Sequence, residues 1–201
     1  MPLTSRAGRV GASLMVGGKA MADKAENGGR RRVSRWRIVP WAVAAFLLLL
    51  PAVAMRFGDE VTWTASDFIF MGVMLFGACG VFELAARMSG NNAYRAAVAI
   101  AVVATVLLIW INLAVGIIGS ENNPANQMFF GVIVIGLIGA FLARFEAEGM
   151  ARALAVTGIA QALTAVAAMV MGHFTWILVG FFCALWFGSA SLFRKAARDQ
   201  Q

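Results

Sequence analysis

The sequence predicts an all-α integral membrane bundle of six transmembrane helices. Three observations lead there: more apolar residues than a soluble core can use, apolar runs of membrane-spanning length, and basic residues that recur on alternate connections. Of the 201 residues, 61% are hydrophobic and only 13% are charged, against about 25% charged in ordinary soluble domains. The surplus apolar side chains must face lipid. The formal net charge is +7. In a soluble protein that would raise nucleic acid as a partner. Here the basic residues sit in the tails and on alternate connections, so the expected partners are the lipid bilayer and its anionic head groups, with no nucleic acid.

An apolar helix of about 20 residues crosses a hydrocarbon layer of about 30 Å at about 1.5 Å per residue. Six stretches qualify: 38–55, 68–86, 96–118, 128–143, 153–171 and 176–193. The first is short and is flanked by Arg37 and Arg56. Short connections between the spans predict that helices adjacent in sequence pack as antiparallel neighbours. The breaks carry turn residues: Ser-Gly-Asn-Asn at 89–92, Asn-Asn-Pro at 122–124, then Gly149 and Gly172. Residues 1–37 form a basic tail with too little apolar content for a core, predicted to be disordered and suited to anionic lipid. Residues 38–194 form the membrane domain, and 195–201 a short second tail.

Charge orients these spans. Sixteen of the 17 lysines and arginines lie in the N-terminal tail, the 87–95 and 144–152 connections and the C-terminal tail; the opposite side carries Arg56 alone. The positive-inside rule places both termini in the cytoplasm. The other face carries Asp59, Glu60, Asp67 and Glu121 against Arg56. That surplus attracts cations or basic partners, although exported loops need only lack basic residues.

The N-terminus carries a second reading. "RRRVSRWR" followed by "WAVAAFLLLL" and Pro51-Ala52-Val53-Ala54 also fits a signal peptide with a small-residue cleavage site. Retention of 38–55 as the first span is the expectation and cleavage the alternative. Met21 opens "MADKAENGGRRRVSRW", a more ordinary cytoplasmic start than residue 1.

Polar residues at membrane depth are expensive, so each is a candidate for function. Asp67 stands at the start of the second span after Thr64-Ala65-Ser66, where an N-cap is the expected role. Glu83 and Arg87 are four residues apart in the favourable acid-then-base order, and predict an ion pair rather than a proton or substrate site. Asn112 and Gln161 lie within the third and fifth spans. Their amides are expected to bond between helices, with ligand contact as the alternative. Small residues recur every fourth position at Ala93, Ala97, Ala101 and Thr105, and again at Ala160, Thr164, Ala168 and Gly172. Such seams let helices approach closely. Glycines repeat with the same spacing in "FMGVMLFGACG" (Gly72, Gly77, Gly80) and "FFGVIVIGLIG" (Gly131, Gly136, Gly139), which raises a parallel internal repeat.

Between the third and fourth spans lies "GSENNPANQ". Pro124 lacks a backbone donor, and Asn122, Asn123 and Asn126 suit turns. A turn needs only two or three such residues. The crowding of Glu121 and three asparagines near Asn112 therefore leaves two readings, a capped turn or a ligand-facing vestibule.

Little here favours catalysis. Cys79 and Cys183 form no CxxC and read as small packing residues. The single histidine, His173, sits at a turn, and no HExxH, GxSxG or phosphate loop occurs. No catalytic residue, metal site or cofactor is predicted, and the expectation is that the chain is not an enzyme.

Two stretches, "PAVAMRFGDEVTWTASDF" at 51–68 and "YRAAVAIAVVATVLLIWINLAVGIIGSENNPAN" at 94–126, resemble a group of small multi-pass bacterial membrane proteins of unknown function. The resemblance covers most of the chain from about residue 35. It implies a bacterial inner-membrane protein with its first span retained, and supplies no substrate, reaction or functional residue. The functional expectation is a transport-related or accessory role exerted by binding or conduction. The alternative is a structural or regulatory subunit whose membrane-protein partner, or second copy, supplies the rest.

Overall fold

Each apolar run becomes a helix, and most helices continue past the run into polar sequence. A computed structural model describes residues 38–58 and 62–200. The 1–37 tail, the Met21 start and the acidic Asp59 and Glu60 lie outside the described residues. The chain divides into two units, Met1–Thr64 and Ala65–Gln201. The first holds α1 (Ile38–Ala54). At about 25 Å, α1 falls short of the hydrocarbon thickness. Pro51 sits in its last turn, where Met55 N–H still reaches the Pro51 carbonyl at 3.0 Å.

The second unit holds α2 (Ala65–Met88), α3 (Asn92–Ala114), a single 3-10 turn (Pro124–Asn126), α4 (Gln127–Leu142), α5 (Ala147–Val170) and α6 (Trp176–Arg198). Five helices of this unit are long and apolar enough to cross a membrane, the fourth counted together with its 3-10 turn. Their outward faces carry side chains that water would penalise: Val170 and Ile177 are each 84% exposed. The chain is thus built as a membrane protein.

Hydropathy marks what touches lipid, whereas backbone hydrogen bonding decides where a helix ends. The ends therefore differ from the apolar runs. α3 stops at Ala114, four residues before the apolar run does, because Gly116 and Gly119 adopt left-handed φ of 76° and 70°. α5 begins at Ala147, six residues early, and carries the Glu148–Arg152 ion pair on its exposed first turns. Gly149 is consequently not a turn glycine. It sits inside α5, where an added Cβ would lie 2.8 Å from Ala143 Cβ. The true reversal is 143–146. Gly172 closes α5 at φ 81°, outside the helix, so it does not extend the small-residue seam. Asn91 caps α3, its Oδ1 accepting from Ala93 N–H and Tyr94 N–H.

Neighbours in sequence are not always neighbours in space. α6 packs extensively on both α5 and α3, α4 packs on α5, and α2 on α3; α3 and α4 meet only slightly. The expected antiparallel pairing of α3 with α4 is corrected: the 115–126 connection is long enough to let α6 take that place. Across the α3–α6 contact, the Ser189 hydroxyl donates to the Ala97 carbonyl at 2.7 Å, with Ala97 fully buried. Phe182, Phe193 and Leu108 fill the centre without exposure, and Tyr94 stands edge-on to Phe193 at 5.0 Å.

The two glycine sets are used differently. Gly136 and Gly139 let α4 approach Thr157 and Ala153, where a Cβ would come within 3.2 and 2.8 Å. Gly77 and Gly80 on α2 meet nothing within 4 Å. The matched spacing does not produce matched packing.

Candidate functional site

The polar turn after α3 is organised by one side chain, Asn126. It is 4% exposed. Its Oδ1 accepts from Ile117 N–H at 3.0 Å and Ile118 N–H at 2.8 Å. Its Nδ2 donates to the Ser120 carbonyl at 2.7 Å and, more weakly, to the Ile118 carbonyl at 3.4 Å. All four capacities of the amide are thereby used. The Asn126 backbone carbonyl accepts from Asn112 Nδ2 at 3.0 Å, which ties the turn to α3. Asn123 Oδ1 caps the 3-10 turn through Ala125 N–H at 3.0 Å.

The remaining members of the motif stand apart. Glu121 and Asn122 are exposed and bond each other, Asn122 Nδ2 donating to Glu121 Oε1 at 3.2 Å. No hydrogen bond links them to Asn112 or Asn126 among the described residues. Asp67 is exposed in the first turn of α2, two residues inside a helix that starts at Ala65, so it is not the N-cap residue. Its charge suits the helix N-terminus. Arg87 Nε and Glu83 Oε1 form their ion pair at 3.1 Å at the other end of α2.

Asn112 and Gln161 are both buried, at 3% and 0% exposure. Asn112 Oδ1 and both amide atoms of Gln161 have no hydrogen-bond partner. Asn112 is joined to the turn, but among the described residues no hydrogen bond joins it to Gln161. A buried amide left unpaired is costly, and Gln161 is the most exceptional polar residue of the core. Among the described residues no group of three or more His, Cys, Asp or Glu side chains is placed to hold a metal ion.

A lateral concavity lies elsewhere. A cleft of about 350 Å³ is walled by α2, α3, α4 and α5, with Trp186 of α6 at its back. Val81 and Leu84 of α2 and Leu137 of α4 line it while remaining more than half exposed, so it opens sideways between α2 and α4. It runs from Met88, Tyr94 and Phe145 at the end bearing Arg87, Arg95 and Arg144 up to Thr105 and Ile109. That is about 22 Å along α3.

Its walls are apolar, and its hydroxyl donors are already engaged. Tyr94 Oη donates to the Phe145 carbonyl at 2.8 Å, Thr105 to Ala101 at 2.9 Å and Thr157 to Ala153 at 2.9 Å. Trp186 Nε1–H differs: it is buried and has no acceptor. At the rim, Arg144 and Phe145 hold left-handed φ of 50° and 60°. For non-glycine residues this costs roughly 1–3 kcal/mol each and tends to persist at functional sites.

Sequence reasoning found the buried amides but missed this cleft and its Trp186, Tyr94 and Phe145. One signal was available. Tryptophans in membrane helices favour the interfaces, whereas Trp186 stands mid-way along α6. No protein-family model matches the chain, and neither does any curated protein or solved structure.

Proposed function

We propose that the chain is an accessory or transport-related membrane protein that works by binding an apolar or amphipathic molecule taken from the bilayer. The reading rests on the lateral cleft: about 350 Å³ falls within the range of small-molecule sites, about 300–1,000 Å³. The cleft opens sideways between α2 and α4, where lipid would lie. Conduction draws less support, because Asn112 and Gln161 share no hydrogen bond and the cleft wall is apolar. The same reading keeps six spans with both termini cytoplasmic in a bacterial inner membrane, supported by the distribution of basic residues.

A photoactivatable fatty acid in proteoliposomes tests the binding reading. Labelled residues are expected to concentrate on cleft positions such as Val98 and Leu84, and Ala101→Phe should deplete that label. Labelling spread evenly over outward positions such as Val170 and Ile177 overturns it.

The reading as a subunit of a larger complex draws on α2. Its outer face presents Gly77 and Gly80 with nothing within 4 Å, beside exposed Val73 and Leu84, and small residues on open helix faces permit close helix docking. Co-purification of a stoichiometric membrane protein that Gly77→Leu releases would favour it.

A further inference from the structure

We propose that the cleft retains an anionic phospholipid, with one acyl chain between α2 and α4 and its phosphate on Arg144. This deepens the binding reading above and rests on it.

An apolar cleft open to lipid does not stay empty, because a void deprives its lining of dispersion contacts. Filling it with a lipid tail, however, brings little hydrophobic gain, since the tail leaves an environment as apolar as the wall. Retention of a particular lipid therefore depends on polar anchors. The cleft is long enough for one: its span of about 22 Å along α3 exceeds one leaflet's share, about 15 Å, of the hydrocarbon layer.

The anchors stand at the basic end. Met88 and Phe145 line the cleft there, from α2 and from the turn after α4. Each has an arginine next to it in sequence, Arg87 and Arg144. Arg87 is engaged by Glu83, and the exposed Arg152 by Glu148. Arg95 donates to the Ser89 and Ala86 carbonyls at 2.8 and 2.7 Å. Arg144 is exposed, and its guanidinium has no hydrogen bond or ion pair among the described residues. A free guanidinium is suited to bidentate recognition of phosphate. Arg144 also belongs to the left-handed pair in the 143–146 reversal, which Tyr94 Oη braces through the Phe145 carbonyl at 2.8 Å.

Native mass spectrometry of the full chain in mild detergent tests the inference, with phosphatidylglycerol and phosphatidylcholine of matched chains as probes. Wild type should retain phosphatidylglycerol in preference. Arg144→Gln should reduce that preference about fivefold, the worth of one arginine near an anionic surface, while Arg152→Gln leaves it unchanged. Ala101→Phe should reduce retention of both lipids, with thermal unfolding confirming that each variant is folded. Equal retention of the two lipids by wild type, with loss of both in Ala101→Phe, overturns the headgroup assignment and leaves the cleft reading standing. Retention indifferent to Ala101→Phe overturns both. An undiminished preference in Arg144→Gln removes Arg144 as the anchor.

Discussion

Replacing Asn126 with alanine should unclip the turn between α3 and α4. Three well-formed hydrogen bonds are lost, from Ile117 N–H, Ile118 N–H and to the Ser120 carbonyl, at 3.0, 2.8 and 2.7 Å. At about 1 kcal/mol net each, the loss is about 3 kcal/mol. Ile117 and Ile118 are 9% and 0% exposed, so their stranded N–H groups push the cost upward rather than down. About 3 kcal/mol corresponds to roughly a hundredfold change in an opening equilibrium. Hydrogen–deuterium exchange in detergent reads this directly: the Ile117 and Ile118 amides should exchange about a hundredfold faster in Asn126→Ala. Asn122→Ser is the control, because Asn122 is exposed and bonds only Glu121. Unchanged exchange at Ile117 and Ile118, or an equal effect from Asn122→Ser, would refute the clip.

Other positions give sharper contrasts in thermal unfolding. Gly139→Ala should destabilise by about 1–3 kcal/mol through overpacking against Ala153, whereas Gly77→Ala, which meets nothing, should be neutral or gain up to about 1 kcal/mol of helix propensity; equal effects would remove the distinction between the two glycine sets. Gly116→Ala should cost about 1–3 kcal/mol from its left-handed φ, and more because its Cβ would fall 2.4 Å from the Ser120 carbonyl carbon. Ser189→Ala removes the α6–α3 side-chain bond and should cost about 0.6–1.7 kcal/mol, the range found between membrane helices. Reporter fusions after Arg198 and within 87–95 and 144–152 should read as cytoplasmic and those at 120–126 as external; a C-terminal fusion reading external ends the six-span proposal.

Which stretches become helices was legible because lipid demands long apolar segments. How the helices meet was much less so, for a physical reason. In a soluble protein the polar face of a helix betrays its apolar face. In a membrane both faces are apolar, so Val98 toward the core and Val103 toward the outside read alike in sequence. Only the polar residues broke that symmetry. Asn112 and Gln161 stood out as amides within their spans and Thr164 as part of a small-residue seam, and all three are buried. Ser189 and Thr157 carry the same signal but are masked by small or β-branched neighbours. The cleft was illegible because it is an unfilled space between four helices, and no single stretch encodes it. The vestibule reading of 120–126 fared differently. It depended on residue types crowding together, yet one asparagine of the three organises the turn while another faces outward.

The position of α6 between α3 and α5 has a consequence for how the protein is made. About 60 residues separate the end of α3 from the start of α6, roughly 3–12 seconds of synthesis at about 5–20 residues per second. Through that interval α3 lacks the helix it packs on most extensively, so the face that meets α6 lies against lipid or a holding factor. Without α6, the remaining packing joins α2 with α3 and α4 with α5, and α3 meets α4 only slightly. The last helix joins them, so a nascent chain stalled before Trp176 is an assembly missing its keystone and a ready substrate for membrane quality control.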